Sequence, residues 1–257
     1  MALCCAILKN TRAITWTGRN CCPASLLCKR DTMSGFIVFD VDGTILDSFG
    51  MYERVLRVYS ELNKLPYPDV DAIKRGYGEP EKHDFMWGVA REEQIKHLMQ
   101  SFKMNDEWSL SGEADKIPDL FSGVKDALVH LKDLGYTLGI VTSKPEGPLL
   151  YQMEHHGVGK LFSGIRTGTD VKRRGEAEKP APDQLLSLMR DLGKHAEETI
   201  MVGDTSMDVR MGRNASTLTL GVTWGAHPVQ ELVDAGAHHI VDTHFDDVVA
   251  HVKSVFG

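Results

Sequence analysis

The chain has 257 residues, 42% of them hydrophobic and 25% charged, with a formal net charge of -7. That composition suits a globular protein with one large core, or one core and a smaller appendage, and excludes a disordered or fibrous chain. The acidic balance argues against a nucleic-acid binder, since phosphate backbones attract clustered Lys and Arg, and no apolar run reaches the roughly 18 to 20 residues of a membrane-spanning helix.

The N-terminal stretch differs from the rest. All five cysteines (Cys4, Cys5, Cys21, Cys22, Cys28) lie before residue 30, where Lys9, Arg12, Arg19, Lys29 and Arg30 meet no acidic residue. Subtracting that +5 from -7 leaves -12 for residues 31–257. Residues 1–32 therefore read as an N-terminal extension with the character of an organelle presequence, which would place the protein in a mitochondrion or plastid. The alternative is an upstream start or a disordered extension before Met33, with a cytoplasmic protein. Adjacent Cys pairs lack the C-x2-C spacing of a metal site, and beyond Cys28 there is no cysteine for disulfides or thiol chemistry.

From residue 36 onward, short β-branched runs alternate with helical patterns, which predicts an α/β fold with a doubly wound, mostly parallel sheet. The first strand is FIVFD (36–40), followed at once by V-D-G-T. Residues 47–115 then hold no convincing strand. Tyr52, Val55, Leu56, Tyr59 and Leu62 follow a helical stripe, as do Ile95, Leu98, Met99 and Phe102, while LPYPD and GYGEP mark turns. A crossover between adjacent parallel strands needs only a dozen or so residues. The excess predicts an inserted α-helical cap over 47–115, with 33–46 and 116–257 forming the core and Tyr52 and Trp87 belonging to the cap interior.

Beyond the cap, VKDALVHLKDLG reads as a helix closed by Gly, YTLGIVT (136–142) as a strand, and His155 and His156 as the end of a helix whose last carbonyls they would meet. A weak strand at SGIRT (163–167), the helix DQLLSLMRDLG, and strands at TIMVGD (199–204), TLTLGV (217–222) and HHIVD (238–242) follow, before a C-terminal helix.

Ligands of open α/β sheets bind beyond the carboxyl ends of the strands, so polar residues there carry weight. Asp40 and Asp42 end the first strand, Thr142 and Ser143 the second, Lys179 lies in the loop after the third, and Asp204 with Asp208 follows TIMVG. Singly, these could be a turn, a helix cap, a solvated lysine and a helix start. Jointly, carboxylates converging in a partly dry site need a cation, and hard oxygen ligands suit Mg2+, which makes Asp40, Asp204 and Asp208 metal candidates. The hydroxyls of Thr142 and Ser143, the ammonium of Lys179 and main-chain N–H groups after Asp40 point at an anion. Neither a G-x-x-x-x-G-K-[ST] loop nor a G-x-G-x-x-G turn follows the first strand. Carboxylate attack on phosphorus, through an aspartyl phosphate, is the chemistry these groups favour.

The segments DVDGT (40–44), TSK (142–144), KPAPD (179–183) and GDTSMD (203–208) resemble, in order and spacing, the four motifs of the haloacid dehalogenase superfamily, and the likeness spans about residues 36–250. FDVDGTILDS, VTSKP and KPAPDQLL are most similar to its phosphoglycolate phosphatases and their pyrophosphatase relatives. The resemblance implies a phosphatase of small phosphorylated metabolites, with 2-phosphoglycolate foremost. Asp40 would be nucleophile and metal ligand; Asp42 would be the acid and base, lending its carbonyl to the metal. Gly43 and Thr44 would offer N–H groups to the phosphate, Thr142 would hold it with Ser143 close by, and Lys179 would neutralise charge. Asp204 would bind magnesium, and Asp208 would ligate it or orient its waters. KRGYGEP (74–80) resembles the family's specificity loop, with Arg75 and Tyr77 as substrate contacts. Asp42 weighs against a dehalogenase or phosphonatase; a sugar-phosphate mutase or a pyrophosphatase on the same scaffold stays the chemical rival, and a non-catalytic binding protein the rival of another class. The expected partner is a small phosphorylated metabolite, with no nucleic acid and no membrane, for a monomer or homodimer.

Overall fold

The computed structural model describes residues 35–77, 87–225 and 227–257. The presequence expected over 1–32 lies outside them, as do Gly78, Glu79 and Pro80 of the proposed specificity loop.

Each apolar run of the core becomes a strand because both of its faces are covered. The first strand, β1 (Phe36–Phe39), is wholly buried. It turns Ile37 and Phe39 to one hydrophobic cluster and Phe36 and Val38 to another, the period-2 split of a strand between two helical layers. Around it lie β2 (Thr137–Val141), β3 (Gly164–Arg166), β4 (Thr199–Gly203), β5 (Leu218–Val222) and β6 (His239–Val241). The order is β3-β2-β1-β4-β5-β6, and every neighbouring pair is parallel, so the expected mostly parallel sheet is parallel throughout the described residues.

Helices α4 (Val124–Asp133), α5 (Glu146–His155) and α10 (Phe245–Phe256) cover the face of Ile37 and Phe39. On the other side, α7 (Asp183–Asp191) and α8 (Ser206–Asn214) pack on Phe36 and Val38. The chain thus winds away from β1 in both directions. The crevice between the carboxyl ends of β1 and β4 is the switch point at which such sheets bind ligands.

Between β1 and β2 the chain makes α1 (Phe49–Asn63), α2 (Val70–Gly76) and α3 (Arg91–Ser109), as the missing strand signal implied. These helices enclose an interior of their own, including Tyr52, Leu56, Tyr59, Trp87 and Leu98. Trp87 is 2% exposed, and its indole N–H donates to Ser60 at 3.0 Å. Burying an aromatic side chain of this kind contributes about 2 to 3 kcal/mol.

Some local expectations shift. Leu62 is 71% exposed, because the helical stripe of α1 outruns the packing that α2 and α3 provide. Ile95 and Met99 of the α3 stripe are exposed along a cleft described below. Lys74, Arg75 and Gly76, expected in a loop, form the last residues of α2. His156 meets its own helix only through its main-chain N–H, which donates to the carbonyl of Gln152 at 3.1 Å, while its imidazole Nε2 lies 2.8 Å from the carbonyl of Pro118.

Candidate active site

The strand ends deliver the acidic residues to one place. Asp40 follows β1 and Asp204 follows β4, which are adjacent and in register, and Asp208 stands on the first turn of α8. All three are buried, and one oxygen of each lies within 4.8 Å of the others. The hydroxyl of Thr44 donates to Asp204 Oδ1 at 3.0 Å. Asp208 has two engagements: its Oδ2 accepts from the N–H and hydroxyl of Thr205 at 3.1 and 2.7 Å, closing a capping box, and its Oδ1 accepts from Lys179 at 2.6 Å. GDTSMD therefore both starts α8 and brings two carboxylates to this cluster.

Lys179 also donates to Asp40 Oδ1 at 2.7 Å, so one ammonium bridges two carboxylates. Burial pushes Asp40 up to about 7 against the pull of Lys179, with Asp208 and Asp42 adding to the rise. Burial alone would lower Lys179, but Asp208 and Asp40 together hold it raised and charged. Three buried carboxylates facing one ammonium leave a surplus of negative charge in a dry site, and hard oxygen donors this close suit a divalent cation.

Gly43 is fixed by space. Its φ is +80°, and a Cβ there would lie 2.2 Å from Asp204 Oδ2. The expectation that Gly43 and Thr44 offer their N–H groups to a phosphate is corrected: Gly43 donates to Leu46 at 2.9 Å and Thr44 to Val41 at 3.2 Å, closing the turn after β1. Among the described residues, the N–H groups of Val41 and Asp42 have no main-chain acceptor.

Thr142, 1% exposed, follows β2, and its Oγ1 accepts from the N–H of Lys144 at 3.2 Å, which keeps the hydroxyl proton available. Ser143 is exposed and lines the same cleft as Asp40, Asp42, Thr142 and Lys179. The sequence reasoning missed Lys144, the third residue of T-S-K. Its Nζ donates to Asp42 Oδ1 at 2.8 Å across 102 positions of sequence, and its side chain is 5% exposed. Its position just beyond a strand's carboxyl end was the available signal.

The cleft has a volume of about 800 Å3 and runs from these residues to α3. Tyr77 lines it, with its hydroxyl 2.5 Å from that of Ser48 and its carbonyl 2.6 Å from Nε2 of His227. Burial, reinforced by Asp42, raises its phenol well above the ordinary range. Arg75 stands in α2, and its side chain lies outside the described residues. Asp106 on α3 also faces the cleft, with a carboxyl pushed up to about 6 by burial although Lys144 pulls it down. Nothing in the helical pattern around it distinguished Asp106 from a solvated acid. Gly225 was missed too: a Cβ there would lie 2.1 Å from Asp204 Oδ2.

Comparison with known proteins points the same way. The sequence model of the haloacid dehalogenase-like hydrolase family matches residues 37–222. The chain is 31% identical to "Probable phosphatase IndB" of Dickeya dadantii over 221 residues, covering 84% of this chain and 93% of that one. It is 29% identical to the phosphoglycolate phosphatase of Psychrobacter arcticus, covering 76% of this chain and 86% of that one. A haloacid dehalogenase-like family hydrolase of Streptococcus pneumoniae has the same fold, with a TM-score of 0.68 at 21% identity over 86% of this chain and 99% of the other.

Proposed function

The chain belongs to the haloacid dehalogenase-like hydrolases, and on that premise we propose that it is a magnesium-dependent phosphatase of small phosphorylated metabolites, working through an aspartyl phosphate. The observation that carries the reading is the convergence of Asp40, Asp204 and Asp208 within 4.8 Å, bridged by Lys179. The ester named by the Psychrobacter relative, phosphoglycolate, is the reference substrate.

In this reading α1, α2 and α3 form the cap. A carboxylate oxygen of Asp40 attacks phosphorus, and the bond to the leaving oxygen breaks as Asp42 gives that oxygen a proton. Asp42 then takes a proton from water, whose oxygen attacks phosphorus and displaces Asp40 as a free carboxylate. Lys179 offsets charge on Asp40 and on the transferring group, and the Thr142 hydroxyl with the Val41 and Asp42 N–H groups holds the phosphoryl oxygens. Asp40, Asp204 and the Asp42 carbonyl would hold the magnesium ion, with Asp208 orienting its surroundings. The ion supplies Lewis acidity and charge neutralisation when bound.

Phosphate release from p-nitrophenyl phosphate in magnesium tests the reading. Asp40→Asn should abolish release while the protein stays folded. A fully active Asp40→Asn protein refutes the nucleophile, and isomerisation of a sugar phosphate without free phosphate would make the protein a mutase.

A further inference from the structure

The cleft holds more room and a different chemistry than a two-carbon acid phosphate uses. Its volume of about 800 Å3 lies in the class that buries ligands of drug-like size, roughly 300 to 1,000 Å3. One stretch of the lining is apolar, between the polar residues Arg91, Lys103 and Asp106 of the same helix. Ile95, Leu98, Met99 and Phe102 form one stripe of α3 at spacings of three and four residues, and Met51 of α1 joins them in lining the cleft. Ile95 and Met99 are 52% and 62% exposed, a pair of large apolar side chains left open on the surface that a substrate would face.

The cleft's two buried lysines are both engaged, Lys179 with Asp40 and Asp208 and Lys144 with Asp42. A carboxylate on the leaving group would have to share one of these two ammonium groups or turn to Arg91 or Lys103, which line the cleft on α3.

One neutral polar group, by contrast, is unspent. Gln152 on α5 is 0% exposed and lines the cleft where α5 meets α3. Its Nε2 donates to Ser109 Oγ at 3.1 Å, while among the described residues its Oε1 has no hydrogen-bond partner. Turning the amide over would exchange the two ends, and Ser109 would still satisfy only one of them. A buried amide end without a partner is costly, and a ligand that supplies the partner recovers that cost.

We propose that the cleft selects phosphate monoesters whose leaving group has an apolar body well beyond two carbons, lying along the α3 stripe and ending in a neutral hydrogen-bonding group at Gln152. This rests on the phosphatase reading and specifies only what carries the phosphate.

The test compares kcat/KM for hydroxyhexyl phosphate, hexyl phosphate and 2-phosphoglycolate, by phosphate release in magnesium. Hydroxyhexyl phosphate should exceed 2-phosphoglycolate by about tenfold or more, the scale of a well-filled apolar pocket. Met99→Glu, at an exposed helical position, should lower the hydroxyhexyl value about tenfold more than the 2-phosphoglycolate value. Gln152→Leu should narrow the gap between hydroxyhexyl and hexyl phosphate. A preference for 2-phosphoglycolate, or an equal loss on every ester in both variants, overturns the proposal while leaving the phosphatase reading intact. Absence of magnesium-dependent release from every ester, p-nitrophenyl phosphate included, would overturn both.

Discussion

Replacing Asp40 by asparagine should make the metal-free protein more stable at alkaline pH even as it removes the nucleophile. The carboxyl is raised from 3.8 to about 7, chiefly by burial. A rise of about 3 units, at about 1.4 kcal/mol per unit, corresponds to on the order of 4 kcal/mol of native-state cost once the group is ionised. Because the folded pKa lies above the unfolded one, the folded state binds the extra proton between about pH 4 and 7, and stability falls as pH rises through that window. Asparagine imitates the protonated form, although it cannot match every contact made by Lys179. Unfolding in denaturant with chelator present should therefore show Asp40→Asn about 2 to 4 kcal/mol more stable than the parent protein at pH 8. The advantage should shrink below pH 7 and disappear near pH 4, and magnesium at pH 8 should narrow it by stabilising the parent protein more. A variant of equal or lower stability at pH 8, or an advantage that grows on acidification, would refute the electrostatic account of this site.

Gly43→Ala should cost about 2 kcal/mol or more and cut turnover at least tenfold, because its Cβ meets Asp204 Oδ2 at 2.2 Å and the backbone stands at φ +80°; thermal unfolding and phosphate release check both, and normal turnover would mean that the turn relaxes without moving Asp204. Lys144→Met should lower kcat by about tenfold or more with a smaller change in KM, since it strips Asp42 of the ammonium 2.8 Å away. An unchanged kcat would show that Asp42 works independently of Lys144.

Much of the fold was readable because it is locally encoded. The alternation that sends Phe36 and Phe39 to opposite faces of the sheet is a property of consecutive residues, and so is the capping of α8 by Thr205 and Asp208. The length of the strandless interval pointed to the helices α1 to α3 that fill it, although the helical stripe could not say that Ile95 and Met99 line a cleft instead of an interior. Periodicity reports that a helix has an apolar face, not what that face meets.

The sequence by itself determined which residue types stand at the strand ends, in what order, and hence that carboxylates, hydroxyls and a lysine would converge beyond a parallel sheet. Only the tertiary structure decided how they divide the work. It paired Lys179 with Asp40 and Asp208, set Lys144 on Asp42, spent the N–H groups of Gly43 and Thr44 within their own turn, and closed Gly225 against Asp204. Lys179 and Asp40 are 139 positions apart, and Lys144 and Asp42 are 102. Partnerships over such separations arise from strand order and register, which no local pattern of residues records.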